Sequence, residues 1–113
     1  MAFNFCMSPN AKSRREVLEL FVAAKPSDAF ARYGLALECA NTGDDEAAVG
    51  HFRALLEANA EYVAGYFQFG QLLGRLGRLD EARRLLSDGI TVAQRIGDLH
   101  ARDEMQAALS SLQ

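Results

Sequence analysis

The chain has 113 residues with a net charge of −3, and half of its residues are hydrophobic. That apolar content is too high for a disordered chain, and the length suits one domain. Basic and acidic side chains are spread evenly over both halves, so the basic footprint of a nucleic-acid binder is missing. Cys6 and Cys39 form neither a CxxC pair nor a dense framework, which fits a reduced cytoplasmic setting. No apolar run approaches the roughly 20 residues that span a bilayer.

Residues 1–12 read as a disordered N-terminal segment without the basic and long apolar stretches of a signal peptide. Met7-Ser8-Pro9 would serve equally well as a start, so residues 1–6 are assigned no function. Ser13 followed by Glu16 is a capping-box signature that opens a helix to about Ala24, with Val17, Leu18, Phe21 and Val22 on one face. Pro26 stops it, because proline lacks an amide hydrogen. Ser27 and Asp28 cap a second helix to about Asn41, after which Gly43 supplies a left-handed turn residue. Asp44 caps a third, to about Asn59. A fourth runs from about Tyr62 to Leu76 and ends at Gly77; a fifth runs from about Leu79 to Ile96 and ends at Gly97. Asp98 caps a sixth, to about Leu112, with Ala101, Met105, Ala108, Leu109 and Leu112 as its apolar stripe. The links are short, which makes neighbouring helices antiparallel.

A 34-residue shift lays the chain on itself. Leu35-Ala36 falls on Phe69-Gly70, Gly43 on Gly77, Ala48 on Ala82, Phe52 on Leu86 and Leu56 on Ile90. Residue class repeats more than identity does: small falls on small, large apolar on large. The second window reads Tyr66-x2-Phe69-Gly70-x2-Leu73, then Gly77 and Ala82-x3-Leu86; the first reads Arg32-x2-Leu35-Ala36-x2-Cys39, then Gly43 and Ala48-x3-Phe52. This pattern resembles the tetratricopeptide repeat (TPR) family, whose period is 34 residues. The likeness covers about residues 26–96. It departs from the family where Arg32 replaces an aromatic, Cys39 a tyrosine, and Ala60 and Gln94 the closing prolines.

The expected fold is therefore all-α: an α-solenoid of antiparallel helix-turn-helix repeats at about 29–62 and 63–96, about six helices in all. One domain spans 13–113, with a capping helix at 98–112. The resemblance implies that the first helix of each pair lines a concave groove for a partner. Carried over residue by residue, that groove holds Phe30, Tyr33, Leu37 and Asn41 from the first repeat, and Ala64, Phe67, Gln68, Gln71 and Arg75 from the second. A peptide or helix of another protein is the expected occupant. The alternatives are a second copy of the chain and burial of the same aromatics by the chain's own terminal helices. No nucleophile–base pair, phosphate loop or metal-ligand spacing points to an enzyme, a cofactor or a metal. His51 and His100 read as lone surface or half-buried side chains, Cys39 as a small apolar one. Gly70-x3-Gly74 reads as close packing within the repeat, and Arg75, Arg78, Arg83 and Arg84 as a locally paired surface.

Overall fold

In a computed structural model, which describes residues 12–112, six helices follow one another: α1 (Arg14–Ala24), α2 (Ala29–Asn41), α3 (Asp45–Ala58), α4 (Val63–Arg75), α5 (Leu79–Ile96) and α6 (Leu99–Ser111). The expected 1–12 segment therefore falls, up to residue 11, outside the described residues.

Local chemistry sets the helix ends. Ser13 and Glu16 form the full capping box: the Glu16 amide donates to Ser13 Oγ at 3.1 Å, and the Ser13 amide donates to Glu16 Oε1 at 2.8 Å. The carboxylates of Asp28, Asp44 and Asp98 accept from the amides of Ala31, Ala47 and Ala101, each satisfying a donor that the first helical turn leaves without a partner. One C-terminal device recurs three times. Gly43, Gly77 and Gly97 take φ of 88°, 79° and 83°. The following amides of Asp44, Arg78 and Asp98 reach back to the carbonyls of Cys39, Leu73 and Ala93 at 2.8–2.9 Å. This is the Schellman arrangement, which needs a left-handed residue and so favours glycine.

Packing follows the 34-residue period. α2 lies on α3 and α4 on α5; α3 touches α4 at the joint between pairs, and α2 touches α4 beside it. α1 packs on α2, and α6 packs on α5 and α4. The radius of gyration is 16.0 Å, above the ~13 Å of a compact 100-residue domain, as a row of stacked pairs requires.

The core falls into two clusters. One joins α1–α4 and reaches α5 at Ala82, through Leu35, Ala36, Cys39, Ala48, Phe52, Leu55, Phe69 and Leu73, among others. The other joins α4–α6 through Tyr66, Leu86, Val92, Ala93 and Met105. Close approach depends on small residues. A Cβ at Gly70 would lie 2.7 Å from Leu86 Cγ, and one at Gly74 3.1 Å from Leu112 Cδ2, so packing inside the fold accounts for this glycine pair. Cys39 is fully buried, and burial raises its thiol above the usual pKa; it packs as an apolar side chain, as its position in the repeat suggests.

Charged side chains tie the second helices together. Arg53 pairs with Glu81, Arg78 with Glu46 and Glu81, and Arg83 with Asp80. Of the four arginines expected to form a locally paired surface, Arg78 and Arg83 are paired, the former reaching across to α3, whereas Arg75 and Arg84 make no ion pair among the described residues.

Candidate functional site

α2 and α4 carry all nine groove residues expected from the sequence, and the structure sorts them into three stretches. At one end Phe30 is 77% exposed. It borders a hollow of about 350 Å³ between α1 and α2, lined also by Arg14, Leu18, Phe21, Asp28, Ala31 and Gly34. In the middle, half-buried Tyr33 meets Tyr62 with ring centroids 5.3 Å apart and planes tilted by 47°. At the far end Gln71 and Arg75, both exposed, line a hollow of about 390 Å³ with Gly70, Gly74, Leu86, Ala108, Ser111 and Leu112.

The others are less free. Leu37 is half-buried against the first core cluster and Phe67 against the second, so each offers only part of its surface. Gln68 is half-buried, whereas Asn41 and Ala64 are exposed. The terminal helices therefore leave Phe30 open. Ala108 and Ser111 of α6, with Leu112 just after it, wall the far end of the face without covering Gln71 or Arg75.

Sequence reasoning missed Tyr62. It stands just before α4 as the N-cap residue, outside the helical spacing used to choose the face, yet it completes the aromatic pair with Tyr33. The available signal was its place: an aromatic at the start of the second repeat's first helix, next to the previous first helix. Burial, then the neighbouring Tyr62, raises the Tyr33 phenol above its ordinary pKa; burial, then Asp28, does the same for Tyr62. Both hydroxyls therefore stay protonated and can donate hydrogen bonds to a ligand.

Arg32, the departure from the aromatic pattern, finds its partner on α3. Its Nη1 lies 3.2 Å from His51 Nδ1. A guanidinium only donates, so Nδ1 must accept, which holds the neutral imidazole with its proton on Nε2. Burial, then the charges of Arg32 and Arg15, lower the His51 pKa, opposed by Glu19 and Asp44. The folded chain thus binds this proton less readily than the unfolded chain. Its stability is undiminished above the unfolded imidazole pKa of about 6.5 and falls as pH drops below it. In urea titrations a His51→Gln chain is expected to lose less stability than the parent between about pH 7.5 and 5; equal losses would exclude His51 as the source. Asp44, lowered chiefly by its hydrogen bond from Arg15, titrates only further into acid.

No protein-family model matches the chain. It is 32% identical over 97 residues to a TPR repeat-containing protein of Pseudomonas aeruginosa, covering 86% of this chain and 92% of that one. The chain belongs to the tetratricopeptide repeat family. A crystal structure of a TPR domain protein from Salinibacter ruber superposes with a TM-score of 0.71 at 34% identity, over 75% of this chain and 94% of that one. A solution structure of a Bordetella parapertussis protein gives a TM-score of 0.78 at 27% identity, over 90% and 89%.

In this TPR chain the first helices of the two complete pairs are α2 and α4, the helices that carry the expected groove. TPR folds are generally protein–protein interaction modules rather than catalysts, and their stacked repeats present extended concave surfaces. Among the described residues no group of three or more His, Cys, Asp or Glu is placed to hold a metal ion. No helix among them is long and apolar enough to cross a membrane.

Proposed function

We propose that the α2–α4 face holds a segment of another protein, with apolar side chains against Phe30 and the Tyr33–Tyr62 pair and a polar group toward Gln71 and Arg75. The observation that carries this reading is the 77% exposure of Phe30 beside half-exposed Tyr33, on the face that the family resemblance implies for a partner. Rigid aromatic anchors with an arginine at the edge are typical of interface hot spots. Arg75 makes no ion pair among the described residues, so a carboxylate on the partner would meet an uncommitted guanidinium there. One such cation is a thin basis for a dedicated carboxylate clamp, and the apolar contacts lead.

A Phe30→Ala/Tyr33→Ala chain tests this. Tagged parent and variant chains are used to capture partners from lysate, with circular dichroism confirming equal helix content. A partner held by the parent is expected to fall about tenfold or more in affinity with the variant. Equal capture by the two chains would remove the groove assignment. If a second copy fills the face, the mass measured by light scattering rises with concentration and the rise disappears in the variant. A constant mass leaves a different protein as the occupant.

A further inference from the structure

α3 and α5 make no close backbone approach; both lie on α4, so a seam runs between them with Tyr66 and Phe69 of α4 beneath it. Along most of its length the two edges carry opposite charges. Glu46 faces Arg78 at 3.8 Å, Arg53 faces Glu81, and beyond the end of α3 Glu61 faces Arg95 at 3.2 Å. Between the last two pairs the pattern breaks. Glu57 of α3 and Asp88 of α5 line one hollow of about 260 Å³, and neither makes an ion pair or a hydrogen bond among the described residues. Half-buried Leu56 and Leu85 complete the lining, so the hollow is apolar below and acidic at both rims.

The chain's own donors at this hollow are committed elsewhere. Arg53 is held by Glu81, with its guanidinium carbon 5.3 Å from the Phe69 ring centroid. The Tyr66 hydroxyl donates to the Ala60 carbonyl at 2.8 Å. The Asp88 charge is felt inside: after burial, it is the next cause that raises the Tyr66 phenol pKa, with Arg95 opposing. We propose that the α3–α5 hollow receives one arginine or lysine side chain of a partner protein, its stem on Leu56 and Leu85 and its charged end between Glu57 and Asp88.

A long basic side chain can lay its methylenes on apolar surface while its charge stays at the rim, which is the division this hollow presents. Its volume lies below the roughly 300–1,000 Å³ of small-molecule pockets, and so suits a single side chain. Glu57 and Asp88 are exposed, so water solvates them while the hollow is empty, and an entering cation meets both. The surface is separate from the α2–α4 face: Phe69 and Gln71 point about 160° apart around α4.

Nuclear magnetic resonance titration of the isotope-labelled full chain tests the proposal, with the capped peptide Gly-Leu-Arg-Leu-Gly as probe. Saturable shifts are expected at the amides of 53–57 and 85–88, and none there with the same peptide carrying citrulline in place of arginine. Glu57→Gln/Asp88→Asn is expected to weaken binding about fivefold or more. Phe30→Ala/Tyr33→Ala is expected to bind the peptide as the parent does, so the two faces are read separately. The proposal is overturned by the absence of saturable seam shifts up to about 10 mM peptide, by an equal response to the citrulline peptide or in the Glu57→Gln/Asp88→Asn chain, or by shifts confined to the α2–α4 face. Calcium chloride moving the same amides at lower concentration than the peptide would also overturn it, making the hollow a metal-ion site. So would exchange protection of the Arg84 guanidinium that Asp88→Asn removes, because the chain's own arginine would then hold Asp88.

Discussion

Replacing Phe52 by alanine is expected to remove about 3–5 kcal/mol of unfolding free energy. Phe52 is 1% exposed on α3, and its ring stacks on that of Phe69 on α4 at 5.4 Å with planes 12° apart. Truncation therefore leaves a cavity at the joint between the two pairs, and the stacked pair contributes about 1 kcal/mol beyond area alone. Whole domains of this size hold only about 5–15 kcal/mol, so most of the margin goes. Urea unfolding is the measurement: the midpoint should fall steeply with little change in slope. Phe30→Ala is the contrast. It removes an aromatic of the same kind from solvent and should stay within about 0.5 kcal/mol of the parent. A Phe52→Ala midpoint close to that of Phe30→Ala would mean that the α3–α4 joint is not the shared core.

Gly89→Leu is the second large effect, and it works by excess volume. A Cβ on Gly89 would lie 2.6 Å from Tyr66 Cβ and 2.5 Å from Met105 Sδ. The methionine can move, but Tyr66 Cβ is fixed to the backbone of α4, and the tyrosine hydroxyl is itself held by a 2.8 Å hydrogen bond to the Ala60 carbonyl. Gly89→Ala gains about 1 kcal/mol of helix propensity against an overpacking cost of about 1–3 kcal/mol, so its net effect is small and destabilising. Leucine keeps most of the propensity gain but adds three more carbons to the same gap, and a net loss of about 3 kcal/mol is expected. Each repeat contacts only its neighbours, so the damage should be local. Amide exchange should accelerate in α6 and the end of α5 while α2 and α3 keep their protection. Unchanged α6 exchange in Gly89→Leu would contradict this account. The first repeat shows the reverse solution at the same register: Leu55 is buried there, close to Gly65, and Arg32 replaces the aromatic and turns to His51.

These two sites also mark how far the sequence reads. Gly43 and Gly77, Ala48 and Ala82, and Phe52 and Leu86 reveal the repeat because each pair of helices solves one packing problem with one pattern of sizes. The register sets Phe69 at a motif position and Phe30 on the expected groove face, but it does not show that the terminal helices leave Phe30 open at 77% exposure while Phe69 is 1% exposed. Nor does it show that Phe67 and Leu37 lean partly into the core, or that Tyr62 closes on Tyr33 from outside the helix.

The sequence by itself determined the six helices, their ends and the 34-residue register. Capping by Ser13, Asp28, Asp44 and Asp98 and the glycine turns at 43, 77 and 97 act over three to five residues, so their signals are complete within a short window. Only the tertiary structure decided which parts of the α2–α4 face stay open and why Arg32 is tolerated. Those outcomes depend on what another helix, about one repeat away in the chain, does or does not lay over a given side chain, and local residue chemistry carries no record of that.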